Sequence, residues 1–276
     1  MQMQEDLSIL DQPGVTHLLF HPRPDMGQPS LEALDCLVPV EPNVNVNVRF
    51  HMNETDAPNI LFFHGNGEIV SDYDDLAPIY HQFGINFIVS DYRGYGKSSG
   101  SPTASAMLKD AHTIFQFVVG WLEKNSYTGK IIIMGRSLGS APALEIASNF
   151  SDNIGGLIIE SGFASTVKLL TRLGIPAAQM GIKEQHGFNN LQKISFFMKH
   201  TLIIHAQNDL IIPIEDAENL QSHCGARSKQ FQMVPNADHN NIIMMAGKIY
   251  FELIQAFIHK IEGKRIKKFF RKNKDS

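Results

Sequence analysis

The sequence predicts an α/β protein built on a mostly parallel central β-sheet with helices on both faces. Short apolar runs alternate with longer segments of helical periodicity, and polar turns separate them. The 276 residues are 43% hydrophobic and 19% charged, which is typical of a folded globular protein. Because we find no internal repeat and no low-complexity linker, we expect one domain over residues 1–276.

The predicted strands are of two kinds. Residues 44–50 alternate apolar and polar side chains, which predicts a strand with one solvated face near a sheet edge. Residues 59–63 are apolar throughout except at Asn59, as is typical of a central strand buried on both faces. Similar apolar runs predict further strands at residues 85–90, 131–134, 156–159, 201–204 and 230–234.

Helical periodicity predicts helices over residues 74–83, 104–124, 140–149, 214–223 and 248–261. Residues 165–198 break the alternation, because this segment is too long for a simple crossover. We expect it to hold extra helices over one end of the sheet, either as plain packing helices or as an apolar lid over a site. If it is a lid, Leu169, Leu173 and Met180 are candidate substrate-binding residues.

A Gly-x-Ser-x-Gly pattern runs from Gly135 to Gly139, between a predicted strand and a predicted helix. A sharp strand-to-helix turn would raise the hydroxyl of Ser137 above the sheet, and the two glycines would let neighbouring backbone pass close by. The free amides at the start of the helix would then face an oxyanion formed at this serine. The pattern therefore predicts a nucleophilic serine.

A second glycine-rich turn, from His64 to Gly67, follows the strand at residues 59–63. It could be an ordinary turn, or it could expose the amide of Asn66 as an oxyanion donor beside the amide of Leu138. We interpret His64 as a packed, hydrogen-bonded histidine and not as a base, because it lies on the oxyanion side of the predicted site.

A nucleophilic serine needs a base, and the base needs an orienting carboxylate. His239 is the best-placed histidine, since it lies in the loop after the strand at residues 230–234. Asp209 follows the strand at residues 201–204 and is the favoured carboxylate. Glu160 is a serious alternative at the end of the preceding strand, and Asp238 is a weaker one because its side chain should point away from its neighbour.

With these motifs in this order, the chain resembles an α/β-hydrolase from about residue 59 to residue 261. The resemblance rests on the serine turn, on the turn from His64 to Glu68, and on the loop from Asp91 to Gly100. Within the superfamily the chain is most similar to the bud-emergence-type hydrolases and their depalmitoylase-like relatives. It departs from their pattern at Ala206 and Ala237, where glycines are usual, and neither change removes a functional group.

The resemblance implies a serine hydrolase that cleaves carboxylic esters or thioesters through Ser137, His239 and Asp209, without a metal or another cofactor. The substrate would be a small molecule or an acylated partner. A peptidase or amidase on the same fold is an alternative, because fold alone does not determine reaction. A non-catalytic binding or scaffold protein is a second alternative.

Charge and composition predict which partners the protein has and where in the cell it lies. A net charge of −4 argues against nucleic acid as a partner, and two cysteines exclude a disulfide scaffold. The start of the sequence resembles no secretory signal, so we expect a cytoplasmic protein.

The tail at residues 263–276 is basic with interleaved aromatic residues, so it could contact an anionic membrane, although a solvated tail is the simpler interpretation. The sequence does not predict an oligomeric state.

Overall fold

One eight-stranded sheet, in the order β1-β2-β4-β3-β5-β6-β7-β8, forms the centre of the computed structural model, which describes residues 6–27 and 33–264. Strands β1 and β2 are antiparallel to each other, β2 is antiparallel to β4, and the remaining neighbours are parallel. The strands are β1 (Leu34–Glu41), β2 (Val44–His51), β3 (Asn59–Phe63), β4 (Asn86–Ser90), β5 (Ile131–Arg136), β6 (Gly156–Glu160), β7 (His200–Ala206) and β8 (Lys229–Val234). The predicted mostly parallel sheet is confirmed, and the sequence prediction lacked only β1.

Helices cover both faces of this sheet. They are α1 (Pro13–Leu19), α2 (Ala77–Gln82), α3 (Ala104–Lys124), α4 (Ser140–Asn149), α5 (Thr166–Arg172), α6 (Asn190–Phe196), α7 (Ile214–His223), α8 (Ile242–Ala246) and α9 (Lys248–Ile261). The predicted bounds of α3, α4, α7 and α9 are confirmed to the residue. Among the described residues, no helix is long and apolar enough to cross a membrane.

Side chains that alternate along each central strand enter two separate cores. In β3, Leu61 and Phe63 pack into the core with α3 and α4, whereas Ile60 and Phe62 pack into the core with α2 and α9. Because successive side chains on a strand point to opposite faces, a continuously apolar strand is needed to fill both cores. Both faces of the central sheet are therefore covered, and the ends of its strands are left for a site.

The prediction of a solvated face on residues 44–50 is wrong. Asn47 and Arg49 are both buried. Arg49 Nε lies 2.6 Å from Asp35 Oδ1 on β1, and its Nη1 lies 2.9 Å from Asp74 Oδ2. These carboxylates compensate the buried charge, so a polar residue in an alternating pattern faces the protein and not solvent.

The segment at residues 165–198 contains the extra helices that the sequence predicts. Helix α6 packs against α4 and α7, so the carboxyl-terminal part of the segment belongs to the helical layer beside the sheet. Residues 173–189, between α5 and α6, contain only turns and one short 3₁₀ turn, Glu184–His186. A lid role remains a prediction for α5 and these turns.

Candidate active site

The turn after β5 gives Ser137 a left-handed backbone with φ of 53°. The 3₁₀ turn Ser137–Gly139 follows directly, and α4 begins at Ser140. A non-glycine residue in this region costs about 1–3 kcal/mol, so its surroundings must hold it there. The strained turn raises the serine side chain above the carboxyl edge of the sheet.

Both glycines of this turn are required by close approach of backbone. A Cβ on Gly139 would lie 2.0 Å from the carbonyl oxygen of Phe63, at the end of β3. A Cβ on Gly135 would lie 2.2 Å from the carbonyl oxygen of Gly139. The turn is thus packed against the neighbouring strand and against itself, as the sequence pattern predicts.

The structure brings Ser137, His239 and Asp209 together, although they are far apart in the sequence. The Oγ of Ser137 lies 3.0 Å from Nε2 of His239, and Nδ1 of His239 lies 2.6 Å from Oδ2 of Asp209. All three residues are buried. With Nδ1–H donating to the carboxylate, Nε2 carries the free lone pair that can accept the serine proton.

The carboxylate of Asp209 is held by its own loop. Its Oδ1 accepts hydrogen bonds from the amides of Ile211 at 3.0 Å and Ile212 at 2.8 Å, which leaves Oδ2 for His239. Burial acts to raise the pKa of Asp209, but the hydrogen bond from His239 and the amide of Ile212 outweigh it, and the pKa lies below its ordinary value. Asp209 is therefore anionic at neutral pH and can stabilise an imidazolium.

The two alternative carboxylates have other partners. Glu160 accepts a hydrogen bond from the hydroxyl of Tyr250 and lies 3.1 Å from Nε of Arg136. Burial raises the pKa of Glu160, and Arg136 opposes that effect. Asp238 accepts from the amide of Asn240 and from the side-chain amide of Asn241, so its carboxylate stabilises the loop itself.

Two backbone amides, of Asn66 and Leu138, are the predicted oxyanion donors, and this role stays a prediction. Leu138 lies in the first turn after the serine, where an amide has no acceptor within its own helix. Over residues 6–27 and 33–264, no protein acceptor takes the amide of Asn66. Two hydrogen bonds hold the side chain of Asn66. Its Oδ1 accepts from the amide of His21 at 2.8 Å and from the hydroxyl of Tyr95 at 2.7 Å.

His64 is buried and hydrogen bonded, in agreement with its interpretation as a structural residue. Its Nδ1 lies 2.8 Å from the carbonyl oxygen of Gly65, and its Nε2 lies 3.2 Å from Oδ1 of Asp91. The same Asp91 oxygen accepts the amide of Val70. This network supports the turn that carries Asn66.

The predicted substrate-binding residues lie in and beside the core of the lid segment. Leu169 is buried within the core that contains α3 and α4, and Leu173 and Met180 are partly buried and pack against that core. Their binding role stays a prediction.

The sequence did not identify the side chains that hold the loops of the site together, chiefly Arg136 and Glu68. Arg136 occupies the variable position directly before the serine, and its guanidinium forms an ion pair with Glu68 in the turn that carries Asn66. The local signal was a charged residue at the end of a buried strand, where an unpaired charge would be costly. Its partner lies 68 residues away in the sequence, so pattern alone could not identify it.

Comparison with known proteins identifies relatives of this chain and of its fold. The family model described as serine aminopeptidase, S33, matches residues 55–185. Protein bem46 of Schizosaccharomyces pombe is 26% identical over 206 residues, which cover 73% of this chain and 67% of bem46. An uncharacterized protein of Acanthamoeba polyphaga mimivirus is 32% identical over 200 residues, which cover 66% of this chain and 67% of that protein.

A solved structure extends the comparison to the fold. The esterase Pf2001 of Pyrococcus furiosus has a TM-score of 0.70 at 18% identity, and the match covers 87% of this chain and 98% of the esterase. The chain belongs to the α/β-hydrolase superfamily. Its similarity to bem46 and the match to the family model support the expected resemblance to bud-emergence-type hydrolases.

We predict that Gly139→Ala disrupts the site, because its Cβ would overlap the carbonyl oxygen of Phe63. The overlap should lower the free energy of unfolding by about 1–3 kcal/mol. Displacement of Ser137 should slow its modification by a fluorophosphonate by about 10²-fold. Urea denaturation and the rate of labelling measure the two effects.

Gly120→Ala is the matched control. A Cβ on Gly120, inside α3, would meet no atom within 4 Å. Alanine in a helix interior should raise the free energy of unfolding by about 0.5–1 kcal/mol and leave the labelling rate unchanged. Equal labelling of both variants would contradict the tight packing of the serine turn.

Proposed function

We propose that this protein is a serine hydrolase that cleaves carboxylic esters or thioesters through an acyl-enzyme on Ser137. The observation that carries the proposal is the continuous contact from Ser137 Oγ to His239 Nε2 at 3.0 Å and from His239 Nδ1 to Asp209 Oδ2 at 2.6 Å. A base within hydrogen-bond reach of a hydroxyl, itself oriented by a carboxylate, is the arrangement that nucleophilic catalysis requires.

In acylation, Ser137 Oγ attacks the acyl carbon while its proton passes to Nε2 of His239. The imidazolium that forms is stabilised by the anionic Asp209, which remains unprotonated. The negative charge on the substrate oxygen is held by the amides of Asn66 and Leu138. Such donors contribute about 10²–10³-fold each to turnover, because they are already oriented before the charge develops.

The proton on His239 then passes to the departing alcohol or thiol, which leaves the acyl group on Ser137. A water molecule replaces the leaving group, and His239 Nε2 takes its proton as it attacks the acyl carbon. The same amides stabilise the second tetrahedral intermediate. As it collapses, the imidazolium of His239 returns its proton to Ser137 Oγ, and the acid is released. His239 is thus the group that takes up and returns each proton.

Apolar side chains around the acid loop support an acyl substrate. Leu210 is 92% exposed and Ile211 is 42% exposed, and both directly follow Asp209. Exposed apolar side chains beside a site can contact an apolar ligand. An acyl chain that entered beside the triad could cover them.

Two alternatives to an esterase or thioesterase concern the same three residues, Ser137, His239 and Asp209. Hydrolysis of peptides or amides would use the same triad, and the family description of serine aminopeptidase, S33, favours testing it. A scaffold protein would need none of these contacts, whereas here hydrogen bonds join the serine, the base and the acid.

We predict that p-nitrophenyl esters are hydrolysed with kcat/KM rising from acetyl to octanoyl chains. Ser137→Ala should abolish turnover, and Asp209→Asn should lower kcat by about 10⁴-fold because the imidazole loses its orienting acceptor. Release of p-nitrophenolate measures all of these rates.

The control variant is Asp238→Asn, whose carboxylate bonds to its own loop. It should keep kcat within about threefold. Faster release of p-nitroaniline from aminoacyl anilides than of p-nitrophenolate from esters would favour the peptidase alternative. Turnover of the shortest esters alone would contradict the acyl-chain interpretation.

We further propose that the carboxyl-terminal tail contacts an anionic membrane surface. Residues 265–276 lie outside the described residues, so the support comes from the place where α9 ends. Ile261, its last residue, lines a cavity of about 330 Å³ at the amino edge of the sheet. The cationic and imidazole side chains of that cavity are Lys130, Lys199, His200 and Arg227.

Two exposed apolar side chains lie close to this cationic cavity. Met198, which lines the cavity, is 62% exposed, and Phe196, at the end of α6, is 67% exposed. Each basic residue near an anionic bilayer contributes about 1 kcal/mol, and salt screens the attraction. This edge would present a basic, partly apolar face to the bilayer.

We predict that the protein sediments with vesicles of phosphatidylcholine and phosphatidylserine but not with phosphatidylcholine alone. Binding should fall at 0.5 M salt and when the tail lysines and arginines are replaced by glutamine. Replacing Lys168 and Lys183, exposed residues in the segment after the carboxyl end of β6, should leave binding unchanged. Equal sedimentation with both vesicle types would contradict the electrostatic contact.

A further inference from the structure

The guanidinium of Arg136 joins three segments of the candidate site. It forms an ion pair through Nη1 with Glu68, its Nε lies 3.1 Å from Glu160 Oε1, and its Nη2 donates to the carbonyl oxygen of His239 at 2.7 Å. The side chain is only 12% exposed. One rigid group thus contacts the turn that carries Asn66, the end of β6 and the loop that carries the base.

On the oxyanion side, Arg136 acts through Glu68. The same carboxylate accepts hydrogen bonds from the amide of Gly65 at 2.6 Å and from the hydroxyl of Tyr73 at 2.6 Å. A Cβ on Gly65 would lie 2.6 Å from Nη1 of Arg136, so the guanidinium is packed directly against this turn. The position of the Asn66 amide therefore depends on the Arg136–Glu68 pair.

On the side of the base, Arg136 holds the backbone of His239. Its Nη2 donates to the His239 carbonyl oxygen and lies 3.3 Å from Oδ1 of Asn240. Asp209 fixes the ring of His239 at Nδ1, and Arg136 fixes the main chain that carries the ring. The two contacts together set the distance from Nε2 to Ser137.

The positive charge of Arg136 also compensates two carboxylates that lie beside it. Glu160 is buried and Glu68 is partly buried, so both carboxylates need a cation. Burial acts to lower the pKa of Arg136, but Glu68, Tyr73 and Glu160 hold it above its ordinary value. Arginine keeps its charge and has donors in three directions, whereas a lysine ammonium is a single point and cannot reach all three partners.

We propose that Arg136 is a positioning residue that aligns the base loop and the oxyanion turn with Ser137. This inference rests on the proposed serine hydrolase function and adds a residue to it. None of the hydrogen bonds and ion pairs of Arg136 involves the hydroxyl of Ser137 or the ring of His239, so it acts on the rate through His239 and Asn66 and not by touching the substrate.

The test is Arg136→Lys in the full chain, compared with Arg93→Lys. Arg93 is a matched control, because it is also largely buried and pairs with two carboxylates, Asp110 and Glu41, away from the triad. With a p-nitrophenyl ester, Arg136→Lys should lower kcat by about 10²-fold and change KM by less than threefold. Arg93→Lys should keep kcat within threefold, although both variants lose thermal stability.

A folded Arg136→Lys protein with the same kcat as Arg93→Lys would overturn the positioning role. If Arg136→Lys does not fold, the Glu68→Gln variant tests the positioning role instead. It keeps Arg136 and removes only one of its ionic partners. We expect Glu68→Gln to lower kcat about tenfold at unchanged KM, and an unchanged kcat would overturn the role. A wild-type protein that neither turns over esters nor reacts at Ser137 would instead overturn the serine hydrolase proposal, and this inference with it.

Discussion

The left-handed backbone at Ser137 is the constraint on which the rest of the site depends. This conformation is unfavourable by about 1–3 kcal/mol for a residue with a side chain. It persists because Gly135 and Gly139 let the turn pack against itself and against the end of β3. If the turn relaxed, the hydroxyl of Ser137 would move away from Nε2 of His239.

Parallel topology explains why distant residues meet at this turn. Asn66, Ser137, Asp209 and His239 follow β3, β5, β7 and β8, and the carboxyl ends of parallel strands share one edge of the sheet. The sheet brings the four loops to this one edge. Final alignment depends on short contacts, such as the amides of Ile211 and Ile212 that fix Asp209.

Much of this arrangement could be predicted from the sequence, because it depends on local patterns. Continuous apolar runs identified the central strands, and the glycine spacing identified the serine turn. The buried Arg49 and the bracing Arg136 could not be predicted, since each charge is compensated by carboxylates from distant segments. The prediction of a solvated face on β2 was wrong for the same reason. Periodicity in the sequence shows which side chains are polar, whereas their burial depends on charged partners that distant segments of the folded chain provide.

The central claim is that Ser137 is an activated nucleophile, and covalent labelling tests it most directly. Folded protein would be treated with a fluorophosphonate, and the adduct would be located by mass spectrometry of its peptides. We predict one adduct on Ser137, formed slowly or not at all in His239→Ala protein. An unlabelled Ser137 in correctly folded protein, or labelling that is equally fast without His239, would contradict it.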